Sequence, residues 1–374
     1  MKKTLLATAI AGAAALAATS ASAATVYNQD GTKLDIYGNV QLAYTYIDQL
    51  NGDEESELGD NGSTFGAKGE HKINDDIVGY FKAEWEYDAD ESKGSGNGLN
   101  DGDQSYVGAK GSFGDARIGS WDQLMDDWIQ DPITNNEYFD VSDSSVAFST
   151  NPDSRVDTNV NSGNLREGDK LQYMSPVMGG LQFAVGSVFK GDGEDENIRD
   201  SNEASFYAGA KYTVGGFSVA AVYDDLGQFD GAETQNVSVD PATGDVSAVD
   251  SGQAQGDIGE QYGLTAQYTV DALRVAVKAE RYAADADNAD VDFYGIGARY
   301  GYGMGDVYGA YQYVDADEDS LIAIRNGGDD SFNEFTVGAT YNISSAMYTF
   351  IEYAQYDRSG DAGDGAAVGI YYGF

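Results

Sequence analysis

Apolar and polar positions alternate with a period of two over most of the chain. Leu34, Ile36, Val40, Leu42 and Tyr44 are interleaved with Lys33, Asp35, Asn39, Gln41 and Thr45. Phe81, Ala83, Trp85 and Tyr87 share one parity, and Lys82, Glu84 and Glu86 take the other. Tyr262, Leu264, Ala266 and Tyr268 oppose Gln261, Thr265 and Gln267, and Leu273, Val275 and Val277 oppose Arg274, Lys278 and Glu280. This period puts the two sets on opposite faces of β-strands. A soluble sandwich and a lipid-facing wall both show such alternation, so it leaves both open.

The connections separate the two. Seven are short: 74–76, 113–115, 175–180, 214–216, 270–271, 303–305 and 342–345. Eight are longer: 47–61, 89–102, 122–165, 190–202, 225–258, 283–290, 315–331 and 357–364. Short and long alternate without exception, and fifteen connections join sixteen strands. Pro132, Pro152, Pro176 and Pro241 all fall in connections, as they must when each strand is paired on both sides. The pattern predicts an all-β, 16-stranded antiparallel transmembrane β-barrel with periplasmic turns and external loops. A barrel of that size encloses water rather than a packed core. The final strand carries Val368, Ile370, Tyr372 and Phe374 on one face, as expected of a strand that closes against the first.

One connection stands apart. Residues 122–165 hold nine acidic residues, a single arginine (Arg155) and two of the four prolines. Structureless loops this long are uncommon and usually functional. This one is expected to fold back into the barrel and narrow it.

Composition narrows the setting. Lys2 and Lys3 precede an apolar run over 5–18 and the small residues Ala21-Ser22-Ala23, the pattern of a cleaved secretory signal over 1–23. The run is shorter than the ~18–20 residues of a spanning helix. The remainder, 24–374, is expected to be a single barrel. Loss of Lys2 and Lys3 leaves 19 basic against 63 acidic residues, a net charge of 19 − 63 = −44. Nucleic acid is excluded as a natural partner, because phosphate binding needs clustered Lys and Arg. With no cysteine and one histidine, disulfides and the usual zinc or haem sites are excluded, and neither cofactor nor metal is expected. Acidic clusters at 53–55, 192–196, 285–287 and 315–319 lack the spacing of an EF-hand. They read as solvated loops, or as loose divalent bridges to lipopolysaccharide phosphates. His71 sits beside the turn 74–76 on the lipid-facing parity, away from Glu70 and Lys72. Gly295-Ile296-Gly297 lies within a strand with no helix after it, so it is not a phosphate loop. No catalytic site is expected.

Tyr27-Asn28-Gln29-Asp30-Gly31 with Leu34-Asp35-Ile36-Tyr37-Gly38 is similar to the opening of enterobacterial osmoporins. Arg166 and the run Tyr173-Met174-Ser175-Pro176 with Gly179-Gly180-Leu181 are similar to a hairpin of the wider family. With the terminal Phe374, they make the chain resemble a Gram-negative general porin along its whole length. The resemblance implies a homotrimer of 16-stranded barrels, each narrowed by its third external loop. It also implies recognition of Phe374, with Tyr372, by the barrel-assembly machinery. Acids on the loop and bases on the wall would set a transverse field. Arg166 falls on one of the family's basic ladder positions and Lys170 shares its parity, whereas the other ladder positions fall on Asn39, Thr64 and Asp103. The family's Pro-Glu-Phe-Gly-Gly loop tip is replaced by Pro132-Ile133-Thr134-Asn135-Asn136-Glu137.

Strand parity sends Lys68, Lys82, Arg117, Arg166, Lys170, Arg274, Lys278 and Arg299 toward water. Arg166, Lys170 and Arg117 are the expected basic wall of the constriction, facing Asp126, Asp127, Asp131, Glu137 and Asp140 of the loop. A carboxylate ring in a narrow pore concentrates cations. The expectation is therefore an outer-membrane diffusion channel for ions and small hydrophilic solutes, cation-preferring, with a constriction more uniformly negative than the family's. One rival is an oligosaccharide-specific channel, which needs an aromatic track in the lumen; Tyr207, Tyr308 and Phe350 have the parity for one. The other is a secreted acidic β-protein acting as an adhesin.

Overall fold

The computed structural model describes residues 23–48, 54–91, 99, 101–133, 137–142, 144, 168–189, 204–226, 233–239, 246–254, 259–320, 322–323 and 326–374. The signal segment, apart from Ala23, lies outside them. The described strands begin with β1 (Ala24–Gln29), β2 (Thr32–Asp48), β3 (Glu54–Asp60), β4 (Thr64–Lys72) and β5 (Ile77–Glu86). Next come β6 (Asp101–Gly111), β7 (Gly114–Ser120), β8 (Lys170–Met174), β9 (Leu181–Phe189) and β10 (Ala204–Val214). They continue with β11 (Phe217–Asp224), β12 (Glu233–Val239), β13 (Val246–Ala254), β14 (Gly259–Val270) and β15 (Leu273–Ala284). The last are β16 (Val291–Gly301), β17 (Asp306–Ala316), β18 (Ser331–Asn342), β19 (Met347–Tyr356) and β20 (Gly365–Gly373).

Every pairing is antiparallel, each wall strand bonds to its neighbours, and β20 returns to pair with β2 from Asn39↔Gly373 to Ile47↔Gly365. Strands β3 and β4 are the two halves of one wall strand, broken at 61–63 and both paired with β2. Strands β12 and β13 form a hairpin apart from the wall, and among the described residues β1 pairs only with β2. The wall therefore has 20 − 4 = 16 strands, with β1, β12 and β13 set aside and β3 and β4 counted once. Closure leaves no edge, which is what allows strands to cross lipid without unpaired backbone groups.

The two chain ends share one edge of β2. Phe374 exchanges backbone hydrogen bonds with Gly38, at 3.1 and 2.9 Å. Below that point β1 takes over, with Ala24 opposite Ile36.

The predicted sides of the strands are as observed. Leu264, Val277, Ile296, Val337, Ile351 and Val368 are exposed on the outside, as a lipid-facing band requires. Tyr212, Tyr268, Tyr300, Tyr341 and Tyr372 lie outward near the turn ends, and Phe206, Tyr262, Tyr294, Phe335 and Tyr353 nearer the loop ends. These are the two girdles expected where headgroups meet hydrocarbon. His71 is exposed at the turn-side rim, where its Nδ1 lies 2.7 Å from the Thr32 hydroxyl.

Two connections differ from the sequence reading. The connection expected at 47–61 is shorter, because 54–60 continues the wall by pairing with β2 as far as Asp48↔Glu54. Charged Glu54, Glu55 and Glu57 hide the alternation there, and pairing rather than side-chain pattern makes the strand. The long connection 225–258 contains the β12–β13 hairpin.

Candidate pore constriction

After β7 the chain turns away from the wall at Trp121, which is only 2% exposed. Asp126–Gln130 forms one turn of π-helix, closed by the Asp131 N–H donating to the Asp126 carbonyl at 3.0 Å. Leu124, Met125, Trp128 and Ile129 form one apolar side of this turn and are buried. They pack on Ala184, Val188, Tyr207, Ala220 and Val222, wall residues of the parity opposite to the exposed outer band. Farther along, Ile133, Phe139 and Val141 pack on Ala43, Ala276, Ala310, Phe350 and Ala367, again of that parity.

Wall glycines make room for this seat. A Cβ on Gly297 would stand 2.0 Å from the Ile133 carbonyl oxygen, and one on Gly263 would stand 2.5 Å from the Met125 sulfur. The Gly295-Ile296-Gly297 run thus has a packing use: its inward positions carry no side chain where Ile133 approaches.

Polar latches fix the rest. Glu352, 1% exposed, accepts the backbone N–H groups of Glu137 (2.9 Å), Tyr138 (3.2 Å) and Phe139 (2.5 Å). The Tyr308 hydroxyl donates to it as well, at 2.5 Å. The Glu137 carboxylate meets Arg299 at 3.2 Å and accepts the Tyr348 hydroxyl at 2.7 Å. A second latch is the buried pair Lys278–Glu280, 2.6 Å apart. Lys278 donates to the Ser142 carbonyl, and Glu280 accepts from Gln130 at 3.2 Å. Gln130 and Gln261 both donate to the Ser144 hydroxyl, at 2.6 and 2.7 Å.

The expected constriction residues divide. Asp127 lines an open cavity of about 600 Å³ together with Arg117, and Asp131 and Asp140 are exposed. Burial pushes the Asp127 carboxyl up to about 6, with Asp122 adding repulsion. Burial, then Asp127, Asp126 and Asp122, push Asp131 up to about 7. The Asp131 carboxylate nevertheless has an open surface, so protein encloses it without sealing it from water. Asp126 is half-buried at the start of the π-turn, where the Gln123 N–H reaches it at 3.3 Å. Glu137 is not a free pore charge, because Arg299 and Tyr348 hold it against the wall.

Lys170 lies away from open water. It is 1% exposed, donates to the Trp121 carbonyl and lies 5.1 Å from the Trp121 ring centre. It anchors Trp121, just before segment 122–165, rather than lining water. Parity gave its side of the sheet correctly, but the segment packed over it removes it from the lumen surface. Arg117 keeps an aqueous position, with its guanidinium 4.3 Å from the Trp121 ring centre and 5.3 Å from that of Tyr106. Arg166 lies outside the described residues, as do Thr134–Asn136, Asp143 and 145–165.

The ladder positions Asn39 and Thr64 are neighbours on the inner face, hydrogen-bonded at 2.7 Å. Basic side chains gather nearer the turns instead: Lys33, Lys68, Lys82, Lys110 and Arg117 line the cavity that Asp127 also reaches. The charge distribution around this opening is therefore not uniformly negative. Sequence reading missed Glu352, although its inward parity between Ile351 and Tyr353 marked it as a carboxylate inside the barrel.

A closed 16-stranded barrel with an outer apolar band and a polar inner face defines an outer-membrane channel. The family model for Gram-negative porins matches residues 7–361, and the chain belongs to that family. It is 50% identical, over all of both chains, to the "Monosaccharide porin" of a Halomonas species and to the "Major outer membrane protein" of Halomonas elongata. Among solved structures, the anion-selective porin from Comamonas acidovorans superposes with a TM-score of 0.69 at 17% identity, covering 92% of this chain and all of that one. The protein is an outer-membrane general diffusion porin of a Gram-negative bacterium.

Proposed function

We propose that the segment 122–165 lies in the lumen and forms its constriction, and that its acids give the channel a cation preference. The supporting observation is the seating of the described part of this segment on inward-facing wall residues, with Asp127 lining the cavity and Asp131 and Asp140 exposed. Carboxylates at a narrow, protein-walled passage attract cations and repel anions, at no cost in conformational change. Asp126, Asp127, Asp131 and Asp140 are assigned to selectivity, Glu137 to holding the segment, and Arg117 to the opposing basic side.

Small ions and monosaccharide-sized solutes then pass by diffusion. A sugar-specific track has weak support. Tyr207, Tyr308 and Phe350 are 4%, 5% and 3% exposed and lie over Gly186, Gly338 and Gly369, so their faces are not open to a passing sugar.

The proposal extends to a homotrimer and to a signal over 1–23 removed on export. It further includes contact of the external loops with lipopolysaccharide, and Phe374 with Tyr372 as the mark read by the barrel-assembly machinery. Tyr372 and Phe374 face outward and are exposed, which suits that reading. The chain needs neither cofactor nor catalytic group for conduction.

The test is the reversal potential across a planar bilayer in a KCl gradient. The native channel should show a cation preference, and neutralising Asp126, Asp127 and Asp131 together to Asn should reduce it. An anion preference in the native channel, or an unchanged potential in the triple variant, would overturn the assignment.

A further inference from the structure

The cavity of about 600 Å³ on the inner face of β2 to β8 collects Lys33, Lys68, Lys82, Lys110 and Arg117 in a chain of net charge −42. Lys33 and Lys110 lie at the turn ends of their strands, and Lys68, Lys82 and Arg117 near mid-strand. Lys33 is one residue inside β2, Lys110 one residue before the end of β6, and Arg117 three residues into β7. They are thus separate from the ladder positions Asn39 and Thr64, which carry no charge.

The five bases are held in two ways. Lys33 pairs with Asp35 at 2.6 Å, Lys82 with Glu84 at 2.6 Å and Lys110 with Glu70 at 2.5 Å. Lys68 and Arg117 make no ion pair among the described residues. Aromatic rings hold them instead: the Lys68 ammonium lies 5.1 Å from the Tyr37 ring centre, and Arg117 stacks between Trp121 and Tyr106. A ring attracts a cation through its quadrupole and has no net charge. It fixes the position of the base without a salt bridge, although Asp35, Glu70, Asp115 and Asp127 also line the cavity and Lys68 faces Asp35 across the β2–β4 register.

Two further observations favour an anion at this place. Lys68 stands directly opposite Lys82 in the β4–β5 register, an unfavourable placement of like charges. The Arg117 Nε is buried and donates to no acceptor among the described residues. An oxyanion seated between Lys68 and Arg117 would relieve the first and give the guanidinium an acceptor suited to its planar fork.

We propose that this turn-side cavity is a binding site for small oxyanionic solutes, carboxylates or phosphates, held by Lys68 and Arg117. The site works beside the acidic segment: the segment sets the preference for simple ions, and the cavity slows an oxyanion that has entered the lumen.

The measurement is current block in single channels bathed in KCl, with succinate or inorganic phosphate as probe. Both probes should block with saturation. Changing Lys68→Gln and Arg117→Gln together should weaken the apparent affinity by about tenfold or more, as expected for loss of charge-assisted hydrogen bonds. Changing Lys33→Gln, whose charge Asp35 already cancels, should alter it by less than about twofold. Block that does not saturate, or equal affinity in the double variant, would overturn the proposal. If the double variant fails to assemble, Lys68→Gln alone, at an exposed side chain, should still weaken block about threefold, and unchanged affinity there would be equally decisive. A native channel that proves anion-preferring would refute the constriction assignment and leave saturable block intact, so the two failures are distinguishable.

Discussion

Five acids of the inward segment have equal formal charge but different surroundings. Asp131 and Asp140 have open surfaces, whereas Glu137 is spent on Arg299 and Tyr348. On the proposed assignment, the raised Asp127 and Asp131 carboxyls, about 6 and about 7, should make selectivity depend on pH within an accessible range. Both are charged near pH 8 and neutral near pH 5, so cation preference should fall as pH drops through that window. A raised acid pKa means the folded state holds its protons more tightly than the unfolded chain. Acidification over the window therefore favours the fold, and the loss of selectivity should occur without loss of the assembled barrel. A reversal potential constant down to about pH 5 would contradict this. At this scale the sequence was only partly legible. Period-two parity told which side of the sheet Lys170 faces, but not that Trp121 packs over it, and Glu352 was not singled out.

At the scale of elements, the inward segment is held by apolar packing on wall glycines and by carboxylate latches. Changing Gly297→Val would drive a side chain into the Ile133 carbonyl, and overpacking of this kind costs about 1–3 kcal/mol. The cheapest relief is movement of the segment. Conductance should change and become noisier while the barrel still assembles; native conductance in that variant would show that the seat is not used. The Glu352→Gln change keeps the shape but removes the charge that accepts three successive backbone N–H groups. Hydrogen bonds to a charged acceptor are worth about 1.5–3 kcal/mol each, so the segment should open more often. The readout is the frequency of brief conductance changes in single channels, with unchanged gating as the contrary result. The strands themselves were legible, since alternation and turn spacing follow directly from a wall with lipid on one side and water on the other. The β3 stretch was not, because its strand identity comes from pairing with β2 and not from its own acidic side chains.

For the whole molecule, sixteen strands closing β20 onto β2 give a closed ring. The count was readable from the strict alternation of short and long connections, because a barrel crosses the membrane in hairpins. The segment proposed to occupy the interior stood out as a long, acidic exception to that alternation. Its points of attachment were not legible, because they join residues up to more than two hundred positions apart, such as Phe139 and Glu352. As a trimer, the purified protein should run as a large species unboiled and as a single chain after boiling in detergent; identical mobilities would contradict the assembly.

The central claim is that the inward segment rests on the inner wall, and the absence of cysteine allows a direct test. The Met125 sulfur reaches to 2.5 Å from the place of a Cβ on Gly263, so exchanging both residues for cysteine sets two sulfurs in the space one thioether fills. In intact outer membranes, the M125C/G263C protein should form an intramolecular disulfide under mild oxidation, protecting both thiols from labelling. Two thiols that stay free and label independently would contradict the account.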